Sequence, residues 1–452
     1  MRKRQKKILL ELTDTLSEAH SQIVRHIGRG EVEHMNGMLR QCQETAISMG
    51  ETIEASEGEE CVSVRRLEDY CEELFSISQN AGGTEASSDS KAGMILEKAL
   101  NAVRYSITND IKERLETVFL PYKASMWDSL ESVWRKADAD PDTDAYVIPI
   151  PYYDKNPDGS FREEHYEALE YPKDVPMAHY REYPFEERHP DRIYIHNPYD
   201  EYNYVTSVHP FFYSKHLKEL TDELVYIPYF VLADPDPDND EQLEGISHFI
   251  TTQAVINADK VIVQSESMRQ AYIKVMTKYA GENTRKYWEN KISGEGSPKF
   301  DKVEHTRKDE LDIPDEWQKV LKKADGGSKK VILYNTGVQA LLDNDEKMID
   351  KIENVLQIFR ANRDDVALLW RPHPLIKATI SSMRPMLWER YRVIVERYMS
   401  EKWGIYDDSA DLDRAIVISD AYYGDGSSVV ELYKRTGKPI MIQNAGIIEE
   451  AD

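Results

Sequence analysis

Cysteine is scarce in this sequence: three in 452 residues, Cys42, Cys61 and Cys71, all near the N-terminus. They are too few, and odd in number, for a disulfide framework, and none has a metal-binding spacing, so the expected compartment is a reducing cytoplasm. Long apolar runs are also missing; none approaches the roughly 20 residues of a membrane span. The start, MRKRQKK, is basic, but Ile8-Leu9-Leu10 gives way to Glu11 and Asp14, so no signal-peptide core follows. Membrane contact through that start is expected to be at most peripheral, at the inner face. Positive charge is in short supply: 57 basic against 82 acidic residues, a net charge of −25. This disfavours nucleic acid and anionic membrane surfaces as partners. It leaves an anionic substrate open, since a local basic pocket suffices.

What is present is ample core material, 40% hydrophobic residues over a length that suits about three domains. Residues 1–113 read as helical. Leu9, Leu12, Leu16, Ile23 and Ile27 recur at helical spacing until Gly28 and Gly30 end the pattern. A second stripe runs from Met35 through Leu39, Cys42, Ala46 and Met49 to Ile53. A third, with Ser63 as its cap, takes Val64, Leu67, Tyr70 and Leu74. The small, polar stretch 80–93 reads as a flexible linker before a further helix at about 94–114. The stripes suit a bundle core or a homodimer seam, and nothing in them carries chemistry.

Near Glu116 the periodicity changes. Apolar runs at 117–120, 145–148, 193–195, 224–227 and 260–263 predict strands, with helices at about 126–136, 205–220 and 248–258 between them, the order of a parallel sheet. The Tyr-, Pro- and charge-rich stretch 152–190 predicts a lid or surface loop. Residues Asp234 to Asp240, DPDPDND, lack the sixth-position Gly and twelfth-position Glu of an EF-hand, and read as a solvated acidic loop. A linker at 293–327 leads to strands at 331–334, 366–370, 415–418 and 440–442, with helices at about 345–360 and 383–399. The predicted class is α/β: a helical segment, 1–113, then two tandem Rossmann-like domains, 114–292 and 328–452. The chain stops about ten residues after its last strand, whereas such a domain usually adds a covering helix.

The stretch 420–444 is the most informative. After the apolar run 415–418, Gly424-Asp425-Gly426 turns, Ser427-Ser428 open a short helix, and Lys438-Pro439 precede the next strand. A strand, a Gly-rich turn and a helix start suit a phosphate, because backbone N–H groups converge on an anion; an ordinary capped helix has the same signature. Arg371-Pro372-His373-Pro374 leaves the end of another strand. Arg371 can pair bidentately with a pyrophosphate, and His373 can donate to phosphate or protonate a leaving group.

These residues carry a resemblance. Two tandem parallel units with strand ends facing a cleft resemble the GT-B architecture of nucleotide-sugar transferases. Arg371-Pro372-His373-Pro374, Ser419-Asp420 with the Gly424–Ser428 turn, and Lys438-Pro439-Ile440 resemble motifs of the CDP-glycerol glycerophosphotransferase family. Ala258–Glu266 and Gly296–Asp301 resemble GT-B connecting segments, so the resemblance covers roughly residues 116–444. It departs where that family's Tyr before the two serines is Gly426 here, and where Glu431 resembles the ribose-binding Glu of many GT-B enzymes.

The resemblance implies a cytoplasmic transferase that moves a glycerophosphate, polyol-phosphate or glycosyl group from a nucleotide-diphosphate donor to a hydroxyl acceptor, possible acceptors including a teichoic acid-like surface polymer. Donor contacts would come from Arg371, Asp425, Gly426, Ser427, Ser428 and Glu431, with Asn335 and Thr336 from the unit's first strand. His373 would be catalytic, with His196 or Asp200 as base on the acceptor side; His209, Lys123 and Ser125 are further candidates there. No Asp-X-Asp pair stands at a strand end, so no metal and no other cofactor is expected. The alternatives are a non-catalytic nucleotide- or polymer-binding module of the same fold, and a sugar-nucleotide epimerase.

Overall fold

A computed structural model describes residues 1–80, 88–156, 158–409 and 411–442. Four helices come first: α1 (Lys3–Gly28), α2 (Val32–Glu57), α3 (Val62–Asn80) and α4 (Ser88–Asp110). Their stripes close on one another: Leu9, Leu16, Ile23, Leu39, Ile53, Tyr70, Leu96 and Val103 are all buried in one cluster. The stripes are therefore bundle core. Ser63 lies inside α3, where its hydroxyl meets Ser106 at 2.8 Å, and caps nothing. Of the expected linker, 81–87 lies outside the described residues, and α4 starts at Ser88, ahead of the predicted Met94.

The first sheet has six parallel strands: β1 (Leu115–Leu120), β2 (Thr143–Val147), β5 (Arg192–Ile195), β7 (Glu223–Tyr226), β8 (Lys260–Ile262) and β9 (Ile292–Ser293), in the order β2-β1-β5-β7-β8-β9. Between them the chain forms β3 (Tyr152–Lys155), β4 (Phe161–His165) and β6 (Thr206–Val208), a small antiparallel sheet. The predicted lid thus contains a hairpin, and the predicted helix at 205–220 is a strand followed by short turns, because Pro210 breaks the run. After β1 come a 3-10 turn (Ala124–Ser129) and α5 (Glu131–Asp138). The bundle is tied to this sheet by Glu116, 1% exposed, which accepts hydrogen bonds from Arg188 at 2.7 and 2.9 Å and from Arg2 at 3.2 Å.

The second sheet is also parallel: β10 (Lys330–Thr336), β11 (Val366–Pro372), β12 (Ile405–Tyr406), β13 (Ala421–Gly424) and β14 (Ile440–Ile442), in the order β12-β11-β10-β13-β14. The fold is therefore α/β, two tandem Rossmann-like sheets behind a helical segment. The expected linker is folded. Its helix Pro298–His305 and the helix Asp315–Leu321 bury Phe300, Val303 and Trp317 with β10 and β11 residues. One strand was misplaced: 415–418 belongs to a helix, Leu412–Ile418, whose start is capped by Asp411 accepting from the Arg414 N–H at 2.9 Å; β13 begins three residues later. A four-residue apolar run fits either structure, so the cap decides it.

Candidate functional site

In the second sheet the strand order reverses between β10 and β13, because β11 and β12 lie to one side and β13 and β14 to the other. At that point the loops after β10, β11 and β13 meet. The Asn335 amide, 4% exposed, donates to the Arg371 carbonyl at 2.9 Å and accepts from the Ser427 hydroxyl at 2.9 Å and the Tyr422 hydroxyl at 3.2 Å. Asp425, 5% exposed, accepts from the Gly337 N–H at 2.8 Å and pairs with buried Lys351 at 3.3 Å. The His373 N–H reaches the Thr336 carbonyl at 2.9 Å. Thr336 is fully buried and its hydroxyl accepts from the Trp370 indole at 3.2 Å. Asn335, Thr336 and Asp425 thus brace the loops from beneath and present no free group outward.

The glycine that this turn requires is Gly424. Its φ is +139°, and a Cβ there would lie 2.1 Å from the Asn335 carbonyl oxygen. At Gly426 a Cβ would meet nothing within 4 Å, so neither strain nor packing demands glycine there. Ser427 caps the helix Ser428–Lys434, accepting from the Val429 N–H at 3.3 Å. The Ser428 hydroxyl is exposed and has no partner among the described residues. Glu431 pairs with Lys434 at 2.8 Å on the same helix.

Arg371, expected to grip pyrophosphate, is spent inside the protein. It forms a buried ion pair with Asp407, itself 1% exposed, and donates to the Ser409 carbonyl at 2.7 Å and the Asp411 carbonyl at 3.4 Å. It fixes the loop after β12. His373 stands at the surface. Its Nδ1 accepts from the Leu375 N–H at 3.1 Å, which places the neutral ring's proton on Nε2, and desolvation by neighbouring protein lowers its pKa and so favours that neutral form. It offers one N–H donor at the rim.

The acceptor-side expectations fare differently. His196 is fully buried between β1 and β5, the reversal point of the first sheet. Its Nε2 accepts from the Tyr122 N–H at 3.1 Å and its Nδ1 lies 2.8 Å from the Ser129 hydroxyl. Burial, and secondarily the charge of Lys299, push its pKa down to about 3. With both nitrogens engaged and no surface exposed, it cannot take a proton from an acceptor hydroxyl in this arrangement. Asp200 is also buried, with φ +47°; it caps the turn at Ser214, accepting from that residue's N–H at 2.9 Å and hydroxyl at 2.5 Å. Burial raises its pKa to about 7. His209 caps the next 3-10 turn. Lys123 lies over the Tyr152 ring at 4.7 Å, its pKa lowered by burial, and Ser125 is exposed.

Asp154, Glu163 and His165 hold their ligand-type atoms within 4.8 Å of one another on the β3–β4 hairpin. Arg162 donates to Asp154 at 2.8 Å and His165 lies 3.2 Å from the same oxygen, so Asp154 already has partners within the hairpin. The sequence reading missed it because a register shift in the hairpin assembles it. It also missed Lys351, whose signal was a lysine inside the stripe Met348, Ile352 and Val355 of the helix Val338–Ala361.

No protein-family model matches the chain, and no curated protein matches it. Solved structures do match. The S. aureus MnaA–UDP co-structure aligns over 73% of this chain and 78% of its own, at 12% identity and a TM-score of 0.44. The wall teichoic acid polymerase TagF aligns over 84% and 78%, at 14% identity and a TM-score of 0.38. The Methanocaldococcus jannaschii UDP-GlcNAc 2-epimerase in complex with UDP-GlcNAc and UDP aligns over 72% and 83%, at 12% identity and a TM-score of 0.40. Likeness at this level carries no argument about activity, and the strand order above describes the fold.

Proposed function

We propose that this chain is a transferase that moves a glycerophosphate, polyol-phosphate or glycosyl group from a nucleotide-diphosphate donor to a hydroxyl acceptor. The donor sits on the second sheet. The observation that supports this is the meeting of three strand-end loops at the point where that sheet's strand order reverses, the place where open α/β sheets take ligands. The braced residues Asn335, Asp425 and Arg371 hold the loops, so the rim is set before the donor arrives. Exposed Gly426 lets a phosphate approach the backbone, while Ser428 and His373 Nε2–H donate to it. Glu431 takes a ribose hydroxyl. In the reaction, the acceptor oxygen bonds to the transferred group as that group's bond to a donor phosphate oxygen breaks; the nucleotide leaves with that oxygen, and the acceptor hydroxyl's proton passes to it or to solvent. Neutral donors and backbone handle the charge, so no divalent cation is required.

Calorimetric titration with CDP, UDP, GDP and CDP-glycerol tests the reading. At least one should bind, about tenfold more weakly to His373→Ala and to Ser428→Ala, and equally well with EDTA. Failure of every nucleotide to bind, or binding indifferent to both substitutions, overturns the site. Binding lost to EDTA and restored by magnesium overturns the metal-free part. Release of free nucleotide only when a hydroxyl acceptor is supplied separates transfer from epimerisation.

A further inference from the structure

A cavity of about 850 Å³ lies between the two sheet units, within the size range of small-molecule sites. Its walls are the turn Ala124–Ser129 with α5, the connecting helix Pro298–His305, and the start of the helix Leu412–Ile418; Tyr171 closes one side. The cations packed against its acidic wall are spent. Lys299 pairs with Asp128 at 2.5 Å, and Lys302 and Arg135 pair with Glu131 at 2.9 and 2.6 Å.

Its hydrogen-bonding groups are not spent. Asp413 lines the cavity at 8% exposure, and its carboxyl accepts no hydrogen bond among the described residues. Asp128 Oδ1, the Trp127 indole N–H and the Tyr171 hydroxyl, all on lining residues, are likewise buried without partners. Buried polar groups are ordinarily paired, and four such groups around one cavity call for a common partner. The mixture identifies its chemistry. The carboxylates of the lining outnumber its one exposed lysine, Lys173, and disfavour an anion such as phosphate, while an indole N–H gives a metal cation nothing. A hydroxyl group both donates and accepts, and can use all four. Burial, then the charge of Asp128, push the Asp413 carboxyl up against the opposing pull of Lys299 and Lys302.

We propose that this cavity binds a neutral polyhydroxylated molecule, a sugar or polyol, whose hydroxyls donate to Asp413 and Asp128 and accept from Trp127 and Tyr171. Its assignment as the acceptor's seat rests on the transferase reading. The two sites share one loop: Arg371, beside the donor crevice, holds the carbonyls of Ser409 and Asp411, and Asp413 follows directly.

The test is the Trp127 indole N–H resonance of the full chain labelled at tryptophan nitrogen, assigned with Trp127→Phe. Ribitol and N-acetylglucosamine are titrated to tens of millimolar, with inorganic phosphate as the anionic control. At least one of the two should shift the resonance saturably, and phosphate should not. Asp413→Asn and Tyr171→Phe should each weaken the response by about tenfold. The Asp413→Leu chain, which loses a buried unpaired carboxyl, should melt no lower than wild type and show no response. Silence toward both polyols, a response to phosphate alone, or full affinity in Asp413→Asn and Tyr171→Phe overturns the inference. Nucleotide titration of the same variants keeps the two readings apart. A bound nucleotide with no polyol response sinks only this inference; a polyol response with no nucleotide bound upholds the cavity and sinks the transferase reading.

Discussion

The two sheets reverse their strand order at equivalent points and fill those points in opposite ways. Between β1 and β5, the residues just past the strand ends are Tyr122 and His196, packed edge to face at 5.2 Å, with Tyr229 at 6.2 and 6.0 Å from them. Aromatic volume closes the crevice, and the histidine's nitrogens are consumed in closing it. Between β10 and β13, the residues just past the strand ends are Gly337 and Asp425-Gly426, with Gly424 closing β13. They leave backbone and small polar groups at the mouth, braced by Asp425 and Lys351 below. One topology therefore yields a plug in one unit and a platform in the other. What separates them is aromatic rings past the strand ends of one unit and glycines around those of the other.

Removing what makes the platform small should have the largest effect. Gly424→Ala places a methyl 2.1 Å from the Asn335 carbonyl at a φ of +139°. It should cost more than about 4 kcal/mol or prevent folding of the second unit, whereas Gly426→Ala should stay within about 0.5 kcal/mol. Thermal melts of both chains decide; equal melting points would mean that the turn relaxes and that its glycine is not required.

Removing the braces comes next. Asp425→Ala removes the buried carboxylate that holds the Gly337 N–H and Lys351, and Arg371→Ala leaves Asp407 without its guanidinium. Each should destabilise by about 3–5 kcal/mol. If either variant lost nucleotide binding while melting like wild type, the residue would be touching the donor after all. In the first unit, His196→Ala should cost about 1–3 kcal/mol by orphaning the Tyr122 N–H and disturbing Ser129.

Acid titration separates buried groups of opposite sign. The Asp200 carboxyl is raised from 3.8 to about 7, so its contribution to stability is fully present below about pH 4 and is lost as pH climbs through 7. The His196 ring is lowered from 6.5 to about 3, so its contribution is present above about pH 6.5 and is lost as pH falls toward 3. Relative to wild type, Asp200→Asn should therefore gain melting temperature from pH 4 to pH 7, and His196→Gln should gain it from pH 6.5 to pH 4. Each change is at most about 4 kcal/mol for shifts of roughly three units. Parallel curves for wild type and either variant would show that the group is not held in its neutral form.

Much of this was legible in the sequence, for a local reason. Runs such as 117–120 and 366–370 are apolar throughout because parallel strands are buried on both faces, and bundle stripes repeat at helical spacing. What could not be read was made by distant pairing. Arg371 looked available because β12, which carries Asp407 to it, is only two residues long. Asp425 looked like a donor ligand because Lys351 stands 74 residues earlier. His196 looked like a base at a strand end, and only the packing of Tyr122 over it shows a plug.

The adjacent serines give the finest division between bracing and binding. The Ser427 hydroxyl donates to Asn335 and accepts from Val429, so its removal takes the shorter of two hydrogen bonds from a buried amide oxygen and uncaps a helix. Ser427→Ala should lower stability by about 1–2 kcal/mol. Ser428, one residue on, is exposed and has no partner among the described residues, so Ser428→Ala should leave the melting point unchanged within error. Its effect should appear only with nucleotide present, as about a tenfold loss of affinity, the worth of one hydrogen bond to a charged phosphate. Ser427→Ala should weaken binding less than Ser428→Ala despite melting lower. The reverse order, with Ser427→Ala the poorer binder and Ser428→Ala silent in both assays, would move the phosphate from the rim to the floor of the crevice and make the brace itself the binding surface.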